Sequence, residues 1–92
     1  MYPTPDSVCS TYAEKKVKLT LRALEDDQDT ILIEGDREAL EFLGQLLLAQ
    51  AASAACGFHL SPHGAGKALF SKKSTKGVYI HRLPCAHATH GP

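Results

Sequence analysis

Thr30-Ile31-Leu32-Ile33-Glu34-Gly35-Asp36-Arg37-Glu38-Ala39-Leu40-Glu41-Phe42-Leu43 is the stretch in which one hydrophobic period gives way to another. Its first five residues are short, β-branched and apolar, the pattern of a well-buried strand. Gly35-Asp36 breaks that pattern. Asp36 can accept hydrogen bonds from the orphan amides of a first helical turn, and Glu38 and Glu41 suit the positive end of a helix dipole. The helix should run to about Ala54. At about 100° per residue, Ala39, Leu40, Phe42, Leu43, Leu46, Leu47 and Ala51 fill half its circumference, with Glu38, Glu41 and Gln45 opposite. One face must therefore lie on a sheet. Leu48 falls toward the polar side, either simply exposed or touching a partner. Gly57, which tolerates the left-handed conformation of a C-terminal cap, is expected to end the helix.

Upstream, Val17, Leu19, Leu21 and Ala23 alternate with Lys16, Lys18, Thr20 and Arg22, the period-two signature of a strand with one wet face. Glu25-Asp26-Asp27-Gln28-Asp29 reads as the turn that joins it to 30–34 in an antiparallel hairpin. Downstream, Phe58-His59-Leu60, Lys67-Ala68-Leu69-Phe70 and Val78-Tyr79-Ile80-His81-Arg82-Leu83 read as three short strands separated by turn residues at 62–66 and 72–77. Residues 1–13, with Pro3, Pro5, Ser7, Ser10 and Thr11, show no apolar period and are expected to form a flexible arm; residues 84–92 form a His-bearing tail. The expectation is one small α+β domain over residues 14–83. Its order is β-β-α-β-β-β, a mostly antiparallel sheet with one helix packed on one face.

The 92-residue chain is 43% hydrophobic and carries ten bases against ten acids, which argues against disorder and suits a single core. The charges are segregated. All ten acids lie between Asp6 and Glu41, whereas residues 44–92 hold five bases, all five histidines and no acid. Either a charged partner or attraction between the two halves inside the fold follows from this asymmetry. Three cysteines, Cys9, Cys56 and Cys85, cannot form an all-paired disulfide framework and include no CxxC pair. The start Met1-Tyr2-Pro3-Thr4-Pro5-Asp6 lacks the basic residues and apolar run of a leader, and the apolar stretch Leu46 to Phe58 is too short to span a membrane. A soluble cytoplasmic protein without membrane contact is expected.

No constellation in the chain has the spacing of a catalytic or metal site. Cys85-x-His87-x-x-His90 and His59-x-x-x-His63 contain zinc-binding residue types, but the first set sits in a terminal tail rather than in ordered turns. Cys56, at the C-terminal end of the expected helix, is placed where the dipole disfavours a thiolate. Asp26-Asp27-Gln28-Asp29 lacks the turn glycine and distant glutamate of a calcium loop. Gly64-Ala65-Gly66-Lys67 fails the spacing of a phosphate-binding loop and runs on into an expected strand. The reading is a non-enzyme with no metal and no cofactor. A nucleic-acid-binding accessory protein is the alternative, with Lys67, Lys72, Lys73, Lys76 and Arg82 as phosphate contacts. It lacks the second helix of a double-stranded-RNA-binding domain and has few aromatics to stack on bases, so nucleic acid is the less favoured partner.

Ile33-Glu34-Gly35-Asp36-Arg37-Glu38-Ala39-Leu40, the leucine-rich helix, and Phe58-His59-Leu60-Ser61-Pro62 followed by a late short strand together resemble the immunity proteins of bacterial polymorphic-toxin systems, in particular the immunity protein 32 family. The resemblance spans about residues 17–83. It implies a non-enzymatic module that binds a cognate toxin domain and blocks it. Against a nuclease toxin, an acidic surface would imitate phosphates and steer association, and Glu25, Asp26, Asp27, Asp29, Glu38 and Glu41 are the candidate partner contacts. Homodimerisation through an open sheet edge or Leu48 is a further expectation to test.

Overall fold

The computed structural model describes residues 3–85. Its central helix, α2 (Arg37–Ala51), starts as the sequence dictates: Asp36 is the N-cap and accepts the Ala39 amide at 2.9 Å. Ala39, Phe42, Leu46 and Ala49 are buried along one stripe, together with Gln50, whose Nε2 donates to the Ala55 carbonyl at 3.1 Å. Burying a side chain of the size of Phe42 or Leu46 contributes about 1.5–3 kcal/mol. The stripe is narrower than the expected face. Leu40 and Leu47 remain nearly half exposed, as does Leu48, while Ala49 and Gln50 turn inward.

The element order corrects the expected β-β-α-β-β-β arrangement with its single helix. A second helix, α1 (Pro5–Glu14), occupies the segment read as an arm. Thr4 caps it by accepting the Ser7 amide, Pro5 opens its first turn and Asp6 lies at its positive end. Val8, Cys9, Tyr12 and Ala13 form a short helical stripe on the core, with the Tyr12 ring 5.5 Å from that of Phe42. Lys16, at φ 61°, then turns the chain out of the helix. The order among the described residues is α1, β1 (Thr20–Ala23), β2 (Ile31–Glu34), α2, β3 (Gly57–Leu60), a 3₁₀ turn (Lys67–Leu69) and β4 (Val78–His81).

The strands form two antiparallel pairs rather than one sheet. β1 pairs with β2, placing Leu21 opposite Ile33 and Ala23 opposite Ile31; β3 pairs with β4, placing Gly57 opposite His81 and Leu60 opposite Val78. The expected strand at 67–70 is instead the 3₁₀ turn, which delivers Leu69 and Phe70 to the core and makes one parallel bridge, Leu19 to Phe70. Gly57 does not cap α2, which ends at Ala51 with Ala52 as its cap. It lies in β3, where a Cβ would collide with the Tyr79 ring.

The other edge of β1 is covered by the lysine-bearing segment. Ser71 donates its amide to Leu19 O, Thr75 and Lys76 donate theirs to Leu21 O, and the buried Ser74 hydroxyl donates to Leu19 O while accepting the Leu21 amide. Thr20, expected on the wet face, is buried because its hydroxyl meets that of Ser71. Among the described residues, no helix is long and apolar enough to cross a membrane.

Candidate functional site

Three features of the described surface bring functional side chains together: the β2 edge with the acidic turn, a lysine-lined cleft, and a thiol–imidazole cluster. The first begins with the ladder. Leu24 donates its amide to Thr30 O, so hydrogen bonding toward β1 falls at Thr30, Leu32 and Glu34. Alternation then turns the N–H and C=O of Ile31 and Ile33 away from β1, to the open side of β2. Their side chains are 49% and 48% exposed, although Leu21, directly across from Ile33, is 2% exposed. The expectation of a well-buried second strand is thus reversed: the core reaches one strand of the pair and stops.

The acidic turn continues this edge. Asp27 Oδ1 accepts the Asp29 amide at 3.0 Å and Oδ2 accepts the Thr30 hydroxyl at 2.7 Å, an Asx-type turn that fixes the end of the hairpin. Those bonds, the Thr30 hydroxyl first, hold the Asp27 carboxyl below its ordinary pKa. Glu25, Asp26 and Asp29 are exposed beside it. The remaining two candidate acids face cations of this chain: Glu38 lies 3.6 Å from Lys15, tying α2 to the end of α1, and Glu41 lies 3.4 Å from Arg37. Four of the six acids therefore form one turn, and two support the start of α2.

The candidate phosphate contacts divide similarly. Lys67 and Lys72 line a cleft of about 450 Å³ together with Lys18, Pro62, Ala68, Phe70 and Ser71. Lys18 donates to the Ala68 carbonyl at 2.7 Å. Its participation was not legible in the sequence, where Lys18 is one polar position of an alternating strand. Lys73 and Lys76 are exposed on the segment covering β1. Arg82 serves the fold: its Nη2 donates to Ser53 O at 2.9 Å and its amide to Cys56 O at 2.7 Å.

That last bond extends the β3–β4 ladder by one step and sets Cys56 beside the end of β4. Leu83 and Pro84 then bend the chain back, and Cys85 closes a disulfide with Cys56 across a Cα–Cα distance of 5.8 Å. The side-chain ligand atoms of Cys56, His81 and Cys85 all lie within 4.8 Å of one another, and among the described residues this is the one such group of His, Cys, Asp or Glu side chains. Residue spacing singled out different partners, His87 and His90, which lie outside the described residues. The usable signal is the hairpin: once residues 57–60 are paired with 78–81, Cys56 lies beside the end of β4 that carries His81, and the bend at Leu83 and Pro84 returns Cys85 to it. His59 and His81 flank Tyr79 on the same face, with ring centroids 6.5 and 6.0 Å from it. Cys9 is the remaining thiol; burial first, and the charge of Asp6 second, push its pKa up to about 11.

Compared with family models, curated proteins and solved structures, the chain matches none of them.

Proposed function

We propose that this chain is a non-enzymatic, cytoplasmic protein-binding module, an immunity protein that neutralises a cognate bacterial toxin domain by direct contact. The observation that carries this reading is the open edge of β2. Outward amides and carbonyls at Ile31 and Ile33 offer main-chain hydrogen bonds to an added strand, and the two exposed isoleucines supply apolar contact beside them. Glu25, Asp26, Asp27 and Asp29 lie at one end of that edge, where they would steer a basic partner and set its register. The resemblance read in residues 17–83 motivates the same reading and shares its test. Exposed Leu40, Leu47 and Leu48 on α2 give a second apolar surface for the same partner or for another copy of the chain.

Growth rescue tests the proposal. The C-terminal domain of the protein encoded immediately upstream is expressed in a laboratory host, with and without this chain. Toxicity relieved by this chain supports the reading; toxicity that persists counts against it. Replacing Asp26, Asp27 and Asp29 together by Asn should then weaken binding and flatten its salt dependence, and unchanged values would remove the turn from the interface.

The lysine cleft favours a second reading, an accessory protein that binds nucleic-acid phosphates. Lys18, Lys67 and Lys72 converge there beside Phe70. Affinity for oligonucleotides that falls steeply with salt would support it, and no retardation at low salt would sink it.

A further inference from the structure

The β3–β4 hairpin ends in a constellation that the proposed function does not draw on. Cys56 is buried, Cys85 is half-buried and His81 is exposed, so two sulfurs and one imidazole are gathered where the core meets the surface. We propose that in the reduced chain Cys56, His81 and Cys85 bind a borderline-soft transition metal, zinc first among them, as a three-residue S₂N site with a fourth position left for an outside ligand.

Geometry and donor chemistry both support the site. Zinc holds thiolate and imidazole at about 2.0–2.3 Å, so its tetrahedral ligands stand about 3.3–3.8 Å apart. With the disulfide closed the three ligand atoms lie within 4.8 Å of one another, so after reduction the two sulfurs need only part to ligand spacing while the imidazole nitrogen stays in reach. Two thiolates and a neutral imidazole balance a divalent cation's charge up to the imidazole's dipole. Such a donor set favours zinc or copper over magnesium or calcium, which take oxygen ligands.

The surroundings are built to hold the imidazole. Tyr79 stacks on His81 with ring centroids 6.0 Å apart and planes 24° from parallel. Its ring can lie there because residue 57, opposite His81, is a glycine; a Cβ at that position would occupy the space of the phenol. On the other side of the cluster the Arg82 amide is bonded to Cys56 O, fixing the backbones that carry Cys56 and His81 to each other. Ligand orientation by neighbours of this kind is a regular feature of metal sites.

Disulfide and metal are alternatives at the same two sulfurs. A dithiol reductant delivers two electrons and two protons to the Cys56–Cys85 bond, breaking S–S, giving two thiols and leaving as its own disulfide. Zinc then displaces the two thiol protons as it forms two Zn–S bonds and accepts the His81 lone pair. The hairpin end is thus closed covalently under oxidising conditions and by the metal under reducing ones.

The test uses the full chain, reduced with a phosphine and stripped of metal, titrated with Co²⁺ and then with Zn²⁺ against a chromogenic chelator. The expected result is one equivalent bound, with thiolate-to-cobalt charge-transfer absorption and the visible bands of tetrahedral cobalt, and no such spectrum from the disulfide form. His81→Ala, at an exposed position that leaves the core intact, should weaken binding by at least the roughly ten- to hundredfold that loss of an outer-shell partner costs. Cys56→Ser and Cys85→Ser should each abolish the charge-transfer band, and His59→Ala should leave it unchanged. Absence of a thiolate band in the reduced chain would overturn the proposal, as would unchanged affinity in His81→Ala or binding lost only on replacing His87 and His90.

Discussion

The two hairpins of this protein are of equal strand length and are secured in opposite ways. β1–β2 is held from one side only: Leu19 and Leu21 lie in the core and the segment 69–76 covers the β1 edge, whereas Ile31 and Ile33 look outward from β2. β3–β4 contributes buried Leu60 and half-buried Phe58, Val78 and Ile80, and closes its open end with the Cys56–Cys85 disulfide. The difference shows how a small core is distributed. Where apolar contact is dense, the fold can leave a strand edge free for another molecule; where the chain runs to the rim, a cross-link does the holding.

The largest expected effect breaks the first hairpin's asymmetry. Leu21→Ala should lower stability by about 2–5 kcal/mol, because the cavity would open inside a packed core. Ile33→Ala, on the residue directly across from it, should cost less than about 1 kcal/mol. Chemical denaturation of the two variants checks this, and equal losses would mean that β2 is as integral as β1. The second hairpin gives the next effect. Reducing the disulfide in the presence of a chelator should cost about 2–4 kcal/mol for a loop with a sequence separation of 29, with faster hydrogen exchange in β3–β4 before β1. A uniform rise in exchange would show that the cross-link secures the whole domain rather than its hairpin.

The smallest effect concerns the acidic turn. Because the Asp27 carboxyl titrates below its ordinary value of 3.8, its contribution is present above that pH and is lost as pH falls through the depressed folded-state pKa. Thr30→Val removes the first cause and should move the Asp27 midpoint upward, read by side-chain carbon NMR. A midpoint that stays in place would assign the shift to the Asp29 amide instead.

These contrasts mark what the sequence could disclose. Gly35-Asp36 announced the start of α2, because an N-cap is a local device that reads the same in any fold. The β1–β2 hairpin was legible from alternation and a turn. The exposure of β2 was not, since Ile31-Leu32-Ile33 carries the composition of a buried strand and only the extent of the core decides which side stays wet. α1 was obscured by Pro5 and Ser7, which in fact stand in its first turn behind the Thr4 cap, with Val8 and Tyr12 too sparse a stripe to stand out. The candidate partner acids lay where expected, four in one turn and Glu38 and Glu41 at the start of α2; the Glu38–Lys15 pair was hidden because it depends on where α1 ends. The thiol–imidazole cluster stayed hidden because strand register brings Cys56 to the end of β4 and a bend returns Cys85 there, neither of which spacing along the chain discloses.

The central claim, that the open β2 edge is the surface that neutralises a toxin, is tested most directly by Ile31→Pro in the growth-rescue assay. The Ile31 amide points away from β1, so proline there removes no ladder bond and should leave the fold's melting behaviour nearly unchanged, while blocking an added strand. The account predicts a folded variant that no longer relieves toxicity which the unaltered chain relieves. Full relief by a folded Ile31→Pro chain would contradict it.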